Sequence, residues 1–159
     1  MADTTKKTII LFSGDLDRAI AAFIIANGAA AMGDEVTMFF TFWGLSLLRK
    51  PKAPKHKKSF LQGMFGAMMP RGSEQLALSK MNFAGMGPRM MRRVMRQQNV
   101  MSLEDLMASA QEQGVKMIAC KMSMDFLGFH EDELIDGLDF VGVATYLAEA
   151  DKANVNLFI

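Results

Sequence analysis

No disulfide framework can be built within this chain, because Cys120 is its only cysteine. The same scarcity excludes an all-cysteine zinc site and a two-cysteine redox pair, and it fits a reducing cytoplasm as the working compartment. Tryptophan and tyrosine occur once each, so the 9% aromatic share is carried almost entirely by twelve phenylalanines. Two histidines, His56 and His130, are little material for a general base or a metal site. His56 stands in a lysine run and His130 opens an acidic stretch, where a solvated cap is the ordinary role. No metal or other cofactor is expected.

Long hydrophobic runs are missing as well. The longest, "AIAAFIIANGAAAMG", contains Asn27 and two glycines and is bounded by Arg18 and Asp34, too short and too interrupted to span a bilayer. The opening "MADTTKKTII" lacks the apolar segment of a signal peptide and has Asp3 in what would be its basic end. These features predict a soluble cytoplasmic protein.

What is present suits one globular domain: 159 residues, half of them hydrophobic and 22% charged. The net charge of +1 conceals a strong asymmetry. Between Val36 and Leu103 there are 12 lysines and arginines against one acid, Glu74, whereas the flanking segments are acidic. Nine of the 16 methionines lie between Met64 and Met101, in the same basic stretch. Residues from about 49 to 101 therefore read as a basic, methionine-rich insertion. Methionine suits adaptable contact surfaces, so a docking or subunit-packing role is expected, with an acidic protein as partner. Lys55, Lys57 and Lys58 precede the apolar "FLQGMFGAMM", which also allows peripheral contact with an anionic membrane. Near-neutral overall charge and the lack of a stacking aromatic–arginine motif argue against nucleic acid.

Along the chain, "KTIILF" is a β-branched run closed by the turn signal "SGD", and a helical pattern follows from Leu16 to about Met32. "EVTMFFTF" reads as a second strand buried on both faces. Ser102 and Asp105 open a helix that Gly114 closes, "VKMIAC" is a third strand, and "NVNLFI" a last one after the helix in "VATYLAEADKA". Alternation of this kind predicts an α/β domain with a mostly parallel sheet and helices on both faces. Ligands in such sheets gather beyond the carboxyl ends of the strands. Ser13 and Cys120 are candidates for that edge, each the first polar side chain after an apolar strand.

For Cys120 the residues leave two readings open. Cysteine is commonly a packing residue. Against this, a helix beginning near Ser123 would aim its N–H groups at the sulfur, Lys121 would add positive charge, and a thiolate would be favoured. A phosphatase loop would need arginine where Phe126 stands, a rhodanese-type loop would need glycines absent from "CKMSMD", and a Cys–His hydrolase would need a histidine base. Carriage of a sulfane sulfur as a persulfide needs one exposed thiolate and a docking partner. In "FSGDLDRA", Ser13, Gly14 and Asp15 form a loop that could hold a small anion at a helix start, although an N-cap is the plainer role for Ser13 or Asp15.

The stretches "IACKMSMDFLGFHEDELIDGLDFVGVATYL" and "SGDLDRAIAAFIIANGAAAMGDEVTMFFTFWGLSLL" resemble the DsrE/DsrF-like family of sulfur-relay proteins, in its branch with a long methionine-rich insertion. The resemblance covers nearly the whole chain. It implies a flavodoxin-like or YchN-like α/β domain that assembles into homo-oligomers. It also implies a sulfur carrier or sulfurtransferase in which Cys120 accepts and passes on persulfide sulfur. The alternative is a non-catalytic oligomeric interaction protein in which Cys120 only packs.

Overall fold

A computed structural model describes residues 4–159. The reading of Asp3 against a signal peptide falls outside those residues. Five strands form one parallel sheet: β1 (Lys6–Leu11), β2 (Glu35–Phe40), β3 (Lys116–Cys120), β4 (Leu138–Val141) and β5 (Val155–Phe158), in the spatial order β4-β3-β2-β1-β5. The chain thus steps outward from β1 to β4 and then returns to the other side of β1. A right-handed crossover reverses its face when the direction of travel reverses. The helices before β4 consequently lie on one face of the sheet and the last helix on the other.

The first face carries most of the core. Helix α1 (Leu16–Ala31) places Leu16, Ala19, Ile20, Ala22, Phe23, Ala26 and Ala29 at three- and four-residue steps, and all are buried. Gly33, with φ 89°, ends the helical segment in the left-handed conformation that costs glycine least. Helix α4 (Leu103–Glu112) begins with a capping box, the Ser102 hydroxyl accepting from Asp105 N–H, and buries Leu103, Leu106 and Ala110. Asn27 ties the two helices together, donating to the carbonyls of Phe23 (2.8 Å) and Leu106 (2.9 Å). Against them lie Ile9 and Leu11 of β1, Met38 and Phe40 of β2, and Met117 and Ala119 of β3. Each fully buried side chain of leucine or phenylalanine size contributes roughly 1.5–3 kcal/mol of transfer free energy.

The second face is thin. Its buried cluster holds Phe39, Ile118 and Cys120 from the sheet and Tyr146 from helix α6 (Val143–Ala150). Tyr146 is the one buried residue of α6. Its ring stacks on Phe39 with centroids 4.8 Å apart, and its hydroxyl lies 2.9 Å from Thr8 Oγ1.

Between β2 and α4 the chain leaves the sheet. A buried 3-10 segment (Phe42–Leu48) leads to helix α2 (Phe60–Met68), which opens with a Ser59–Gln62 capping box and buries none of its residues. Helix α3 (Met86–Gln97) carries Arg89, Arg92, Arg93 and Arg96, with Met91 and Met95 resting on the core. Phe60, Met68, Met86 and Met90 are each more than 60% exposed. No helix among the described residues is long and apolar enough to cross a membrane.

Candidate functional site

The carboxyl ends of β1, β2 and β3 lie side by side, and each leads into a different local structure. β1 runs into Phe12-Ser13-Gly14-Asp15, β2 into Thr41 and the 3-10 segment, and β3 directly into helix α5 (Lys121–Leu127). Gly44 makes the first two compatible. Its N–H donates to the Phe12 carbonyl at 2.9 Å, and a Cβ there would come within 2.1 Å of the Leu11 carbonyl oxygen. Phe12, Phe42, Phe126 and Phe158 then line this edge, with successive ring centroids 5.4–6.2 Å apart.

Cys120 is both the last residue of β3 and the N-cap of α5, with an extended backbone (φ −67°, ψ 110°). The helix therefore starts at Lys121, two residues earlier than Ser123. The sulfur does not stand out from the edge, which the carrier reading requires and the packing reading does not. Side chains alternate faces along a strand, so Cys120 shares the face of Ile118 and joins it in the second-face cluster, at 2% exposure. Val141 of β4 is its register partner on one side. On the other side Thr41 follows Phe40, which pairs with Ala119.

The polar groups nearest this position are engaged with one another. Ser123 is buried and its Oγ lies 2.8 Å from Thr41 Oγ1. Lys121 was expected to lend positive charge to the sulfur, but its Nζ lies 3.2 Å from Glu131 Oε1 and 3.9 Å from Asp125 Oδ1. Its charge is already matched by two carboxylates.

Ser13, Gly14 and Asp15 occupy the same edge, with β2 between them and Cys120. Much of the donor capacity of their loop is used inside the protein. Ser13 N–H donates to the Ile159 carbonyl, Asp15 N–H to Ser13 Oγ, and Leu16 N–H to the Ala77 carbonyl. The Ser13 hydroxyl in turn donates to the Asp15 carboxylate at 2.9 Å, which places a negative group where an anion would sit. The structure gathers Cys120, Lys121 and Ser123 at one strand end and leaves Ser13, Gly14 and Asp15 two strands away. Thr41, Phe39 and Tyr146 complete the surroundings of Cys120 without having been singled out from sequence. A period-two reading of "TMFFT" against "IAC" would have paired the first two with it. Among the described residues, no three His, Cys, Asp or Glu side chains come together as metal ligands.

A lone cysteine between a strand end and a helix start, at the carboxyl edge of a parallel sheet, invites comparison with known proteins. The model of the DsrE/DsrF/DrsH-like family matches residues 4–158. The chain belongs to that family. It is 59% identical over 160 residues to the uncharacterized protein YrkE of Bacillus subtilis, spanning 100% of both chains. It is 39% identical over 158 residues to the sulfur carrier protein DsrE2 of Allochromatium vinosum, covering 97% of this chain and 98% of that one. Among solved structures, the YchN protein of E. coli superposes with a TM-score of 0.55 at 11% identity, over 97% of this chain and 99% of YchN. MTH1491 of Methanobacterium thermoautotrophicum, a protein of unknown function, gives 0.57 at 13% identity, over 96% and 98%. The superpositions establish the fold as the YchN-like α/β arrangement. Family membership and the identity to the sulfur carrier support a role in sulfur relay with protein partners.

Proposed function

We propose that this protein is a sulfur carrier that holds sulfane sulfur as a persulfide on Cys120 and hands it to a partner protein. The observation that carries the reading is the position of Cys120, the sole thiol, at the carboxyl end of β3 in a DsrE-type fold. In the loading step the Cys120 thiolate attacks the outer sulfur of a donor persulfide. The donor's S–S bond breaks, the donor leaves as a thiolate, and a new S–S bond forms on Cys120. An acceptor thiolate then attacks that outer sulfur, and Cys120 leaves as the thiolate with which it began. No net oxidant or reductant is consumed.

At 2% exposure the sulfur must first be uncovered. The wall over it on the second face is α6, held by its one buried side chain, Tyr146, with the Thr8 hydrogen bond. Its end is held by half-buried Ala150, an Asn156 donation to the Ala150 carbonyl (3.2 Å) and a Lys116–Glu149 pair (3.9 Å). An element with so few buried contacts opens locally at a small fraction of the global unfolding free energy. The same thin face, with Val143 and Leu147 half exposed and Phe158 68% exposed, suits a second copy of the chain. The basic insertion suits an acidic donor or acceptor, or an anionic membrane surface.

Burial of Cys120 beside Phe39 and Tyr146 also favours the alternative, an interaction protein in which the thiol only packs. The two separate on one experiment: the native protein is exposed to polysulfide, cleared of excess reagent and weighed intact. The carrier reading expects one added sulfur atom, lost on incubation with a thiol acceptor and absent in Cys120→Ala. Addition only after denaturation would establish the packing role.

A further inference from the structure

The end of the 3-10 segment delivers an arginine to an unusual place. Arg49 is 1% exposed, and its guanidinium lies over the Phe129 ring with Cζ 4.7 Å from the centroid. Nη1 donates to the carbonyls of Met69 (3.0 Å) and Pro70 (3.1 Å), and Nη2 to the carbonyl of Gly66 (3.0 Å). Nε is buried and is the one such side-chain nitrogen or oxygen among the described residues with no hydrogen-bond partner. A guanidinium carries five N–H donors, so three are used and Nε–H is left without a partner. An oxyanion is a group that can accept from that remaining donor.

No carboxylate forms an ion pair with Arg49 among the described residues. Glu133, the buried acid of this region, is taken by Lys58 at 2.7 Å. The carbonyls of Gly66 and Met69, at the end of α2, offset part of the buried charge through the negative end of the helix dipole, but they leave Nε unanswered. A second guanidinium, that of Arg71, stands close enough to oppose protonation of Arg49. Burial is the larger cause and Arg71 the smaller, and against the opposing charge of Glu133 they push the pKa of Arg49 down to about 10. Arg71 reaches only the Lys50 carbonyl, at 3.5 Å. Arg49, Arg71, Lys52 and Lys55 share the wall of a cavity of about 540 Å³ whose floor includes Gly63 and Gly66. Glu133 and Lys58 line the same cavity as a pair, and Lys52 and Lys55 stand exposed at its wall. The buried charge left without an ion-pair partner is that of Arg49, and an uncompensated buried charge costs several kcal/mol.

We propose that this cavity is a binding site for a tetrahedral, doubly charged oxyanion, a phosphate- or sulfate-type group accepting from Nε–H of Arg49, with Arg71, Lys52 and Lys55 supplying the remaining charge. The proposal stands apart from the sulfur-carrier reading, since none of its residues touches Cys120's surroundings.

Calorimetric titration of the full chain with sulfate and with inorganic phosphate, against chloride at matched ionic strength, tests it. Saturable one-site binding is expected with either dianion and not with chloride. Because each charge-assisted contact is strong, Arg71→Gln and the double variant K52Q/K55Q should each weaken binding about tenfold or more. Lys152→Gln, remote from the cavity, should bind as the unmodified chain does. Arg49→Lys keeps the charge and removes Nε–H, and should abolish binding. Should that variant fail to fold, the Arg71 and lysine variants still decide. Tighter binding of glycerol 3-phosphate than of inorganic phosphate would identify the ligand as a group on a larger molecule, and equal or weaker binding as the free ion. Heats indistinguishable from chloride, or undiminished affinity in Arg71→Gln, would overturn the assignment.

Discussion

Cys120 and Arg49 are buried to nearly the same degree, at 2% and 1% exposure, but their polar surroundings are opposite. Around the thiol, Ser123 is bonded to Thr41 and Lys121 is matched by Glu131 and Asp125. Around the guanidinium, one donor has no partner, Lys52, Lys55 and Arg71 form no ion pair among the described residues, and the one acid of the cavity, Glu133, is held by Lys58. The first neighbourhood is closed, and the carrier reading requires a wall to move before the sulfur is reached. The second is open and asks for a charged guest. A family fold can thus keep chemistry and recognition in separate compartments, the thiol on the sheet and the cations in the stretch between β2 and α4.

The sharpest way to break this contrast is Arg49→Met. Three carbonyls lose their charged donor, that of Met69 in a buried bond and those of Pro70 and Gly66 in part-buried ones. A fully buried acceptor without a partner costs about 1–3 kcal/mol, so urea unfolding should show a loss of about 3 kcal/mol. A loss below about 1 kcal/mol would mean that water reaches those carbonyls and that the cavity is not closed behind the guanidinium. A smaller effect is expected at the thiol. Thr41→Val removes the partner of the buried Ser123 hydroxyl and should cost about 1 kcal/mol on the same measurement, because one neutral hydrogen bond is lost. The smallest is Lys121→Gln. An exposed ion pair contributes little, so stability should stay within about 0.5 kcal/mol, and the rate of Cys120 alkylation by iodoacetamide in the native protein should not change. A slower reaction would show that the ammonium charge reaches the sulfur despite its two carboxylates.

The strands of the sheet were legible because parallel strands buried on both faces leave continuous apolar runs, and "KTIILF", "EVTMFF" and "VKMIAC" are such runs. The edge position of Cys120 followed from the abrupt return to polar residues after it. Its orientation did not, because the reading with an exposed sulfur, one of the two left open, set aside the strand's own alternation, which carries Ile118 and Cys120 to the same side. Helix α2 is written in the sequence as Ser59 and Gln62 at capping-box spacing, a signal hidden by Gly63 and Gly66. Arg49 was not legible at all. It opens a run of lysines and prolines that reads as solvated, and its burial comes from carbonyls at the far end of α2 and from Phe129, contacts that no local pattern records.

Gln62, on the exposed helix of the insertion, donates through Nε2 to the Asp125 carbonyl at 3.1 Å. Its side chain also fills the space beside Gly128, where a Cβ would lie 2.7 Å from it. α2 and α5 are therefore latched together, and α5 is joined by a single peptide bond to Cys120. Whatever grips the outer helix, or fills the hollow at its end, has a handle on the strand tip that carries the thiol, so arrival of a guest at one compartment need not go unnoticed by the other.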